Sequence, residues 1–372
     1  MRNILVIGGG KIGSVVADLL VDTPEHNGYR VTLADRSAAT LAATQADAKR
    51  SPRLSTLVLD ASDPAQLRAA LKGRFAVLSA APYHLTLQVA QAAREAGVHY
   101  LDLTEDVAST RAISELAQGA SHAFIPQCGL APGFISIVAA DLARGFDSLD
   151  SVRMRVGALP AYPSNALNYN LTWSTEGVIN EYCEPCDAIV DGRLSSVPAL
   201  EEREEFSLDG VLYEAFNTSG GLGTLCETLA GKVRTLNYRT IRYPGHAAIM
   251  KALLHDLRLK DRRDVPKDIL ERALPATMQD VVIVFVTACG LREGRLQQDT
   301  YARKIYSGML AGQMRSAIQI TTASSLCAML DLLATGALPQ AGFVRQEEVS
   351  LAAFLGNRFG RVYAAEAAAH AA

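Results

Sequence analysis

Gly8-Gly9-Gly10-Lys11-Ile12-Gly13 packs four glycines and one cation into six residues, directly after the apolar run Ile4–Ile7. Glycine weakens regular structure, so a cluster at the end of a strand marks a place where the backbone must come close to another group. The spacing fits G-x-G-x-x-G. Gly8 permits a tight turn, Gly10 the approach of a pyrophosphate, and Gly13 the packing of a helix on the strand. Phosphates then meet the free N–H groups of the helix start, next to Lys11 and Ile12. Asp35 follows Gly13 by 22 residues, where a carboxylate accepts from the adenosine ribose 2′-OH and repels a 2′-phosphate. That favours NAD over NADP; Arg36 beside it is the counter-argument, because a guanidinium suits that phosphate. Asp60 with Ala61, and Ala80-Ala81-Pro82, end later apolar runs where the adenine and the nicotinamide ribose pass. Each of these also reads as a plain strand-end turn.

Positioning such a ligand takes alternating strands and helices. ILVIG, YRVTLAD, LSTLVLDAS, FAVLSAAP, VHYLDL and HAFIPQC are short apolar or β-branched runs. Helical stretches near Ser14–Val21, Ala38–Asp47, Pro64–Leu71, Leu85–Ala96 and Val107–Gln118 separate them. This alternation predicts crossover units feeding a parallel sheet, a doubly wound Rossmann domain over residues 1–130. Gly129-Leu130-Ala131-Pro132-Gly133 then interrupts the pattern and leads into a helix near Phe134–Arg144. Beyond it, SVRMRVGALP, DGVLYEAF, TLNYRTIRY and DVVIVFVTACG predict a second, α+β domain on a mostly antiparallel sheet, residues 131–309. This domain is expected to bind substrate and to carry oligomer contacts. Helices from about residue 310 to 372 are expected to return to the first domain, with AAEAAAHAA as a frayed end.

The 372 residues suit about two domains, and 49% hydrophobic with 20% charged residues describes an ordinary globular chain. A net charge of −3 offers no electrostatic case for nucleic acid or an anionic membrane surface. No apolar run reaches the roughly 18 residues of a spanning helix, and no signal-peptide pattern opens the chain, which points to the cytoplasm. Of six cysteines only Cys183 and Cys186 have a suggestive spacing, and a lone C-x-x-C lacks the second pair of a zinc site. The seven histidines do not cluster, so no metal is expected.

Three stretches concentrate unusual polar residues: Asn168–Gly177 (NYNLTWSTEG), Phe216–Thr224 (FNTSGGLGT) and Tyr238–His246 (YRTIRYPGH). Together with GLAPG and the glycine fingerprint they resemble the saccharopine dehydrogenase family over nearly the whole chain. Within it they are most similar to the lysine 6-dehydrogenases. The resemblance implies NAD-dependent oxidative deamination of lysine at its ε-carbon, with a small amino acid as substrate and a homo-oligomer as the assembly. Glu176 stands where saccharopine-type members carry an arginine, Ala131 where they carry the aspartate of GLDPG, and Val156 near their active-site cysteine. A carboxylate in place of a cation suits a substrate with two ammonium groups. A saccharopine or carboxynorspermidine type of enzyme is the alternative.

The resemblance and residue chemistry together suggest roles. The guanidinium fork of Arg242 is the candidate for the substrate α-carboxylate, or else an ion-pair partner. Thr218, Ser219 and Thr240 are candidate donors to substrate, although Thr218 and Ser219 also read as a glycine-flanked turn. Trp173 is a candidate apolar wall or a core residue, and Asn168 with its neighbours a candidate holder of water. The chemistry needs a proton acceptor near working pH. His246 fits by type, with Glu176 second; a packed histidine and a helix-start carboxylate are the plain readings of the two.

Overall fold

The computed structural model describes residues 1–46 and 51–364. The expected helix end at Asp47 and the expected frayed tail from residue 365 lie outside the described residues. Along the chain, the first elements are β1 (Arg2–Ile7), α1 (Gly13–Val21), β2 (Tyr29–Asp35), α2 (Ala38–Ala46), β3 (Leu54–Val58), α3 (Pro64–Leu71), β4 (Ala76–Ser79), α4 (Thr86–Ala96), β5 (His99–Asp102), α5 (Val107–Leu116), β6 (Ala123–Ile125) and α6 (Ile135–Arg144). There follow β7 (Ser148–Pro160), α7 (Thr175–Cys183), β8 (Cys186–Val190), β9 (Arg193–Val197), β10 (Glu204–Leu208), β11 (Val211–Asn217), α8 (Leu225–Thr228), β12 (Val233–Arg242), α9 (His246–Lys251), α10 (Asp264–Ala273), β13 (Asp280–Arg292) and β14 (Arg295–Tyr306). The chain ends with β15 (Gly308–Leu310), β16 (Gln313–Arg315), α11 (Ala317–Ala334), β17 (Gly342–Phe343) and α12 (Leu351–Gly356).

Two compact units result. The first, residues 1–134, 309–313 and 319 onward, holds a seven-stranded sheet in the order β17-β6-β5-β4-β1-β2-β3. Every pairing in it is parallel. Strands buried on both faces explain why ILVI and AVLS read as continuous apolar runs. The strand order reverses at β1, with β2 on one side and β4 on the other, which makes the crevice between β1 and β4 the switch point where such sheets bind ligands. β17 adds an unforeseen seventh strand: two residues pairing with Ala123 and Phe124.

α11 corrects one sequence expectation. It is long and apolar enough by length and composition to cross a membrane, but 83% of it is buried inside the protein. Cys327 Sγ lies over the Val16 carbonyl of α1, and Asp331 accepts from Tyr29 Oη at 2.6 Å. Hydrophobic all round, it is a core helix.

The second unit, residues 135–308 and 314–318, carries a sheet along the path β10-β11-β12-β7-β13-β14, with β8 and β9 attached to β12. The expectation of a mostly antiparallel sheet is corrected: the sheet is mixed. Its central pair, β7 with β12, runs parallel from Val233–Leu149 to Thr240–Val156. Parallel partners need a long crossover, and here it comprises α7, the strands β8 to β11 and α8. One end of that sheet, with α7, α9 and α10, closes around Tyr169, Val178, Ile179, Tyr182, Phe216, Ala247 and Met250.

Candidate active site

In the first unit the glycine loop has little room for side chains. Gly8 adopts φ +101°, and a Cβ there would stand 2.6 Å from the Ala80 carbonyl oxygen of the neighbouring strand end. A Cβ on Gly13 would sit 1.8 Å from the Gly8 oxygen, so the helix start closes directly on the turn. Gly10 differs: a Cβ there would meet nothing within 4 Å. Open space above Gly10, beside a helix start with no side-chain cap, fits a dinucleotide pyrophosphate. Lys11 is exposed and Ile12 half-buried at this entrance.

Asp35 ends β2 with both oxygens in use. Oδ2 accepts from Gly9 N at 2.8 Å and Oδ1 from Ser37 N at 2.8 Å. The acid is thereby tied to the glycine loop, and Arg36 beside it is exposed. Asp60 is also exposed, its Oδ1 accepting from Ser62 N and Oγ, while Ala61 is buried. Ala80, Ala81 and Pro82 follow β4 at the same sheet edge. Among the described residues no group of His, Cys, Asp or Glu is arranged to hold a metal ion, and all six cysteines are free thiols.

In the second unit the polar stretches meet around Arg242, the last residue of β12 and only 2% exposed. Its Nε donates to Tyr182 Oη at 2.9 Å and its Nη1 to the Ile241 carbonyl at 2.9 Å. Its Cζ stands 5.0 Å from the Tyr169 ring centroid, a cation–π contact. Among the described residues no carboxylate is hydrogen-bonded to it, although the Glu181 charge reaches it. Glu214 lies directly opposite in the β11–β12 register, yet its carboxylate is spent elsewhere. Oε1 accepts from Ala247 N at 2.7 Å, and Oε2 from Gly245 N at 3.1 Å and Arg203 Nη1 at 3.3 Å. Glu214 therefore holds the start of α9, where Gly245 takes φ +98°. Tyr169, whose ring faces the guanidinium, has a buried hydroxyl with no hydrogen-bond partner, and so have Asn170 Oδ1 and Thr172 Oγ1 in the same stretch of chain. Each such group costs about 1–3 kcal/mol unless a polar ligand satisfies it.

His246 is brought to Arg242, but in a different role from the one its type suggests. It is 1% exposed, and its Nδ1 faces only an acceptor, the Leu167 carbonyl at 2.8 Å. The proton therefore sits on Nδ1, and Nε2 accepts from Tyr182 Oη at 3.0 Å. Burial, then the neighbouring Arg242 charge, push its pKa down to about 3. Both nitrogens are engaged and the ring is neutral, so His246 holds Tyr182 rather than collecting protons from a ligand. Glu176 is not brought in at all. It sits in the first turn of α7, 57% exposed, with Lys267 Nζ at 3.4 Å. The helix-start carboxylate is thus the reading the structure favours, and the charge argument for lysine built on Glu176 loses its footing.

The remaining residues are largely structural in placement. Thr218 Oγ1 and Thr240 Oγ1 lie 2.9 Å apart and satisfy one another, and Ser219 Oγ donates to Pro185 O. Trp173 is half-buried against the apolar cluster of α7 and α9. Asn168, at φ +49°, follows a turn closed by Asn165, whose Nδ2 donates to Tyr169 O. Sequence reasoning missed Tyr182 and Glu214. Tyr182 looks like any aromatic on a buried helix face. Glu214 did leave a signal, an acid between inward apolar residues of VLYEAF.

Comparison with known proteins matches this geometry to one family. Residues 4–125 match the Saccharopine dehydrogenase NADP binding domain and residues 129–357 the Saccharopine dehydrogenase C-terminal domain. The chain is 26% identical over 272 residues to saccharopine dehydrogenase [NADP(+), L-glutamate-forming] of Saccharomyces cerevisiae, covering 70% of this chain. It is 22% identical over 284 residues to the enzyme of that name from Pyricularia oryzae, covering 74% of this chain. The matched stretches span 59% and 61% of those relatives. The apo saccharopine dehydrogenase (L-Glu forming) structure from Saccharomyces cerevisiae shares the fold, with TM-score 0.74, 17% identity, and coverage of 93% and 94% of the two chains. With both of its domains matched in order, this chain belongs to the saccharopine dehydrogenase family.

Proposed function

We propose that this chain oxidatively deaminates the ε-amino group of L-lysine with NAD, giving 2-aminoadipate 6-semialdehyde, ammonia and NADH. One observation carries the reading: a buried guanidinium with no carboxylate hydrogen-bonded to it, facing the ring of Tyr169, whose buried hydroxyl lacks a partner. The Glu181 charge reaches Arg242 but no carboxylate is hydrogen-bonded to it, and an amino-acid carboxylate is the ligand that would meet its fork with charge-assisted bonds. Bound nicotinamide supplies the hydride acceptor. The glycine loop would hold its pyrophosphate, and Asp35 its adenosine ribose. Preference for lysine rests on Ala131 and the family likeness, now that Glu176 is turned outward. The activity named for the curated relatives favours the second reading, a saccharopine-type reaction. Initial rates separate the two: lysine alone, without 2-oxoglutarate, is expected to drive NADH formation, and a requirement for saccharopine would overturn the first.

The cofactor reading has its own test. Asp35→Ala is expected to shrink the ratio of kcat/KM for NAD over NADP about tenfold, equivalent to ~1.4 kcal/mol. An unchanged ratio would show that Asp35 serves only the Gly9 and Ser37 amides.

A further inference from the structure

β14 is the last strand on its path through the second sheet, and among the described residues no strand pairs with its outer side. The other end of that path, β10, is five residues long and includes Glu204 and Glu205. Short and charged is how an edge is ordinarily guarded against pairing. β14 is longer and less guarded. It runs for twelve residues without a proline and keeps one register with β13 throughout, free of bulges. Its one lysine, Lys304, is turned back onto its own chain, Nζ meeting Leu208 O at 3.1 Å and Asp209 Oδ2 at 3.0 Å. Ladder parity decides which backbone groups are left over. Glu293 and Gly294 make the turn into β14 at φ +51° and +73°, and the pair flanking such a two-residue turn, Arg292 and Arg295, exchanges both backbone bonds. Past the far end of the strand Ser307 N donates to Asp280 O. Odd-numbered residues therefore bond to β13. The N–H and C=O groups of Leu296, Gln298, Thr300, Ala302, Lys304 and Tyr306 point away from the sheet.

We propose that this edge pairs antiparallel with the same edge of a second copy of the chain, about a two-fold axis at Tyr301. Free backbone groups join even residues only to even ones, so the axis must fall on a residue of the strand. At Tyr301 it sets Asp299 of each copy opposite Arg303 of the other, an opposite-charge pair made twice. It also sets Leu296 opposite Tyr306, apolar side chains that are 72% and 58% exposed in the single chain. One residue either way, Asp299 would face Tyr301 or Ile305, Leu296 would face Lys304, or Tyr306 would face Gln298. Only the axis at Tyr301 matches the charges and the exposed apolar groups together. Arg303 has a use for the carboxylate. Among the described residues no acid pairs with it; its Nη1 donates to Ala302 O, and its Nε is buried without an acceptor. Asp299 meets Arg292 of β13 and remains only half-buried.

Sedimentation equilibrium of the full-length protein tests it, and the wild type is expected to have the mass of two chains. Ala302→Pro removes an outward N–H beside the axis and spares the ladder to β13; it should weaken dimerisation about tenfold or more. Asp299→Arg and Arg303→Asp should each weaken it by about the same factor, because like charges then meet twice across the axis. Mixing these two variants should restore the dimer. One chain then carries two arginines and the other two aspartates at positions 299 and 303, so only the mixed pair recovers both contacts. Loss of the Arg292 contact inside a chain would not be repaired by mixing, which separates a damaged strand from a repelled partner. Circular dichroism checks that each variant is folded, and the mixing experiment stands whether or not Ala302→Pro folds. A wild type that stays a monomer, or charge variants that remain apart when mixed, would overturn the proposal. So would a folded Ala302→Pro that dimerises as tightly as the wild type.

Discussion

Replacing Arg242 with alanine is expected to raise the KM for lysine by about two to three orders of magnitude and to leave NAD affinity within about twofold. The magnitude follows from the site. Truncating one partner of a buried, hydrogen-bonded charge pair costs about 2–5 kcal/mol, and 3–4 kcal/mol corresponds to that range of KM. Arg242 is enclosed by Tyr182, Tyr169 and its own strand, so water screens it little. Lysine at this position keeps the charge but loses the planar fork, and should recover only part of the loss. The discriminating control is 1,5-diaminopentane, which is lysine without its carboxylate. The wild type should prefer lysine strongly, and Arg242→Ala should treat the two nearly alike. If the variant loses both substrates equally, Arg242 serves only to hold Tyr182 and the apolar cluster around it. Near-ultraviolet circular dichroism, to which Tyr169, Tyr182 and the single tryptophan Trp173 contribute, checks that the cluster survives.

What was legible in the sequence is what is local. Gly8, Gly13 and Asp35 are read within one β-α-β unit: Gly8 makes its turn at φ +101° against Ala80, Gly13 closes on Gly8, and Asp35, read as a ribose acceptor, accepts from Gly9 N and Ser37 N. The site in the second unit is different, because it is assembled from four segments far apart in the chain. Arg242 was found as a residue, but its environment depends on Tyr182, Tyr169 and Glu214, which periodicity marks as core or not at all. The parallel pairing of β7 with β12 has no local signature either, since antiparallel and parallel strands share one alternation. The surroundings of His246 were out of reach for the same reason. Residue type offered a base, whereas the Leu167 carbonyl and the Tyr182 hydroxyl, both remote in sequence, fix which nitrogen carries the proton. Glu176 shows the reverse error, an acid read against a family position when its place in the first turn of a helix already accounted for it.

Asp102→Asn is expected to make the protein more stable at neutral pH while changing little at pH 4. Asp102 lies at the end of β5, 1% exposed. Burial pushes its pKa up from 3.8 to about 6, against the opposing pull of hydrogen bonds from Gln127 N, Tyr100 and Thr104 N. The sign follows from proton counting. Between about pH 4 and 6 the folded state holds a proton that the unfolded chain has released, so stability falls as pH rises through that window. Above pH 6 the cost of the buried charge is fully present, of order 3 kcal/mol for a shift of about two units. Asparagine fits the same contacts. Its Oδ1 can keep accepting from Thr104 N and Gln127 N, at 3.0 and 2.8 Å. Its Nδ2 then donates to Tyr100 Oη, whose proton turns to the Thr86 carbonyl, 3.3 Å away. Urea midpoints for wild type and variant at pH 4 and 7.5 measure the effect, because other titrating groups largely cancel in the difference. The variant should gain about 2 kcal/mol on the wild type between the two pH values. A stability difference that does not move with pH would mean that Asp102 is already solvated or paired when ionised. Asp102→Ala, which strands both amides, should instead destabilise by about 2–6 kcal/mol at pH 4, at 1–3 kcal/mol for each buried group left unpaired, and by less at pH 7.5, where it also removes the cost of the buried charge.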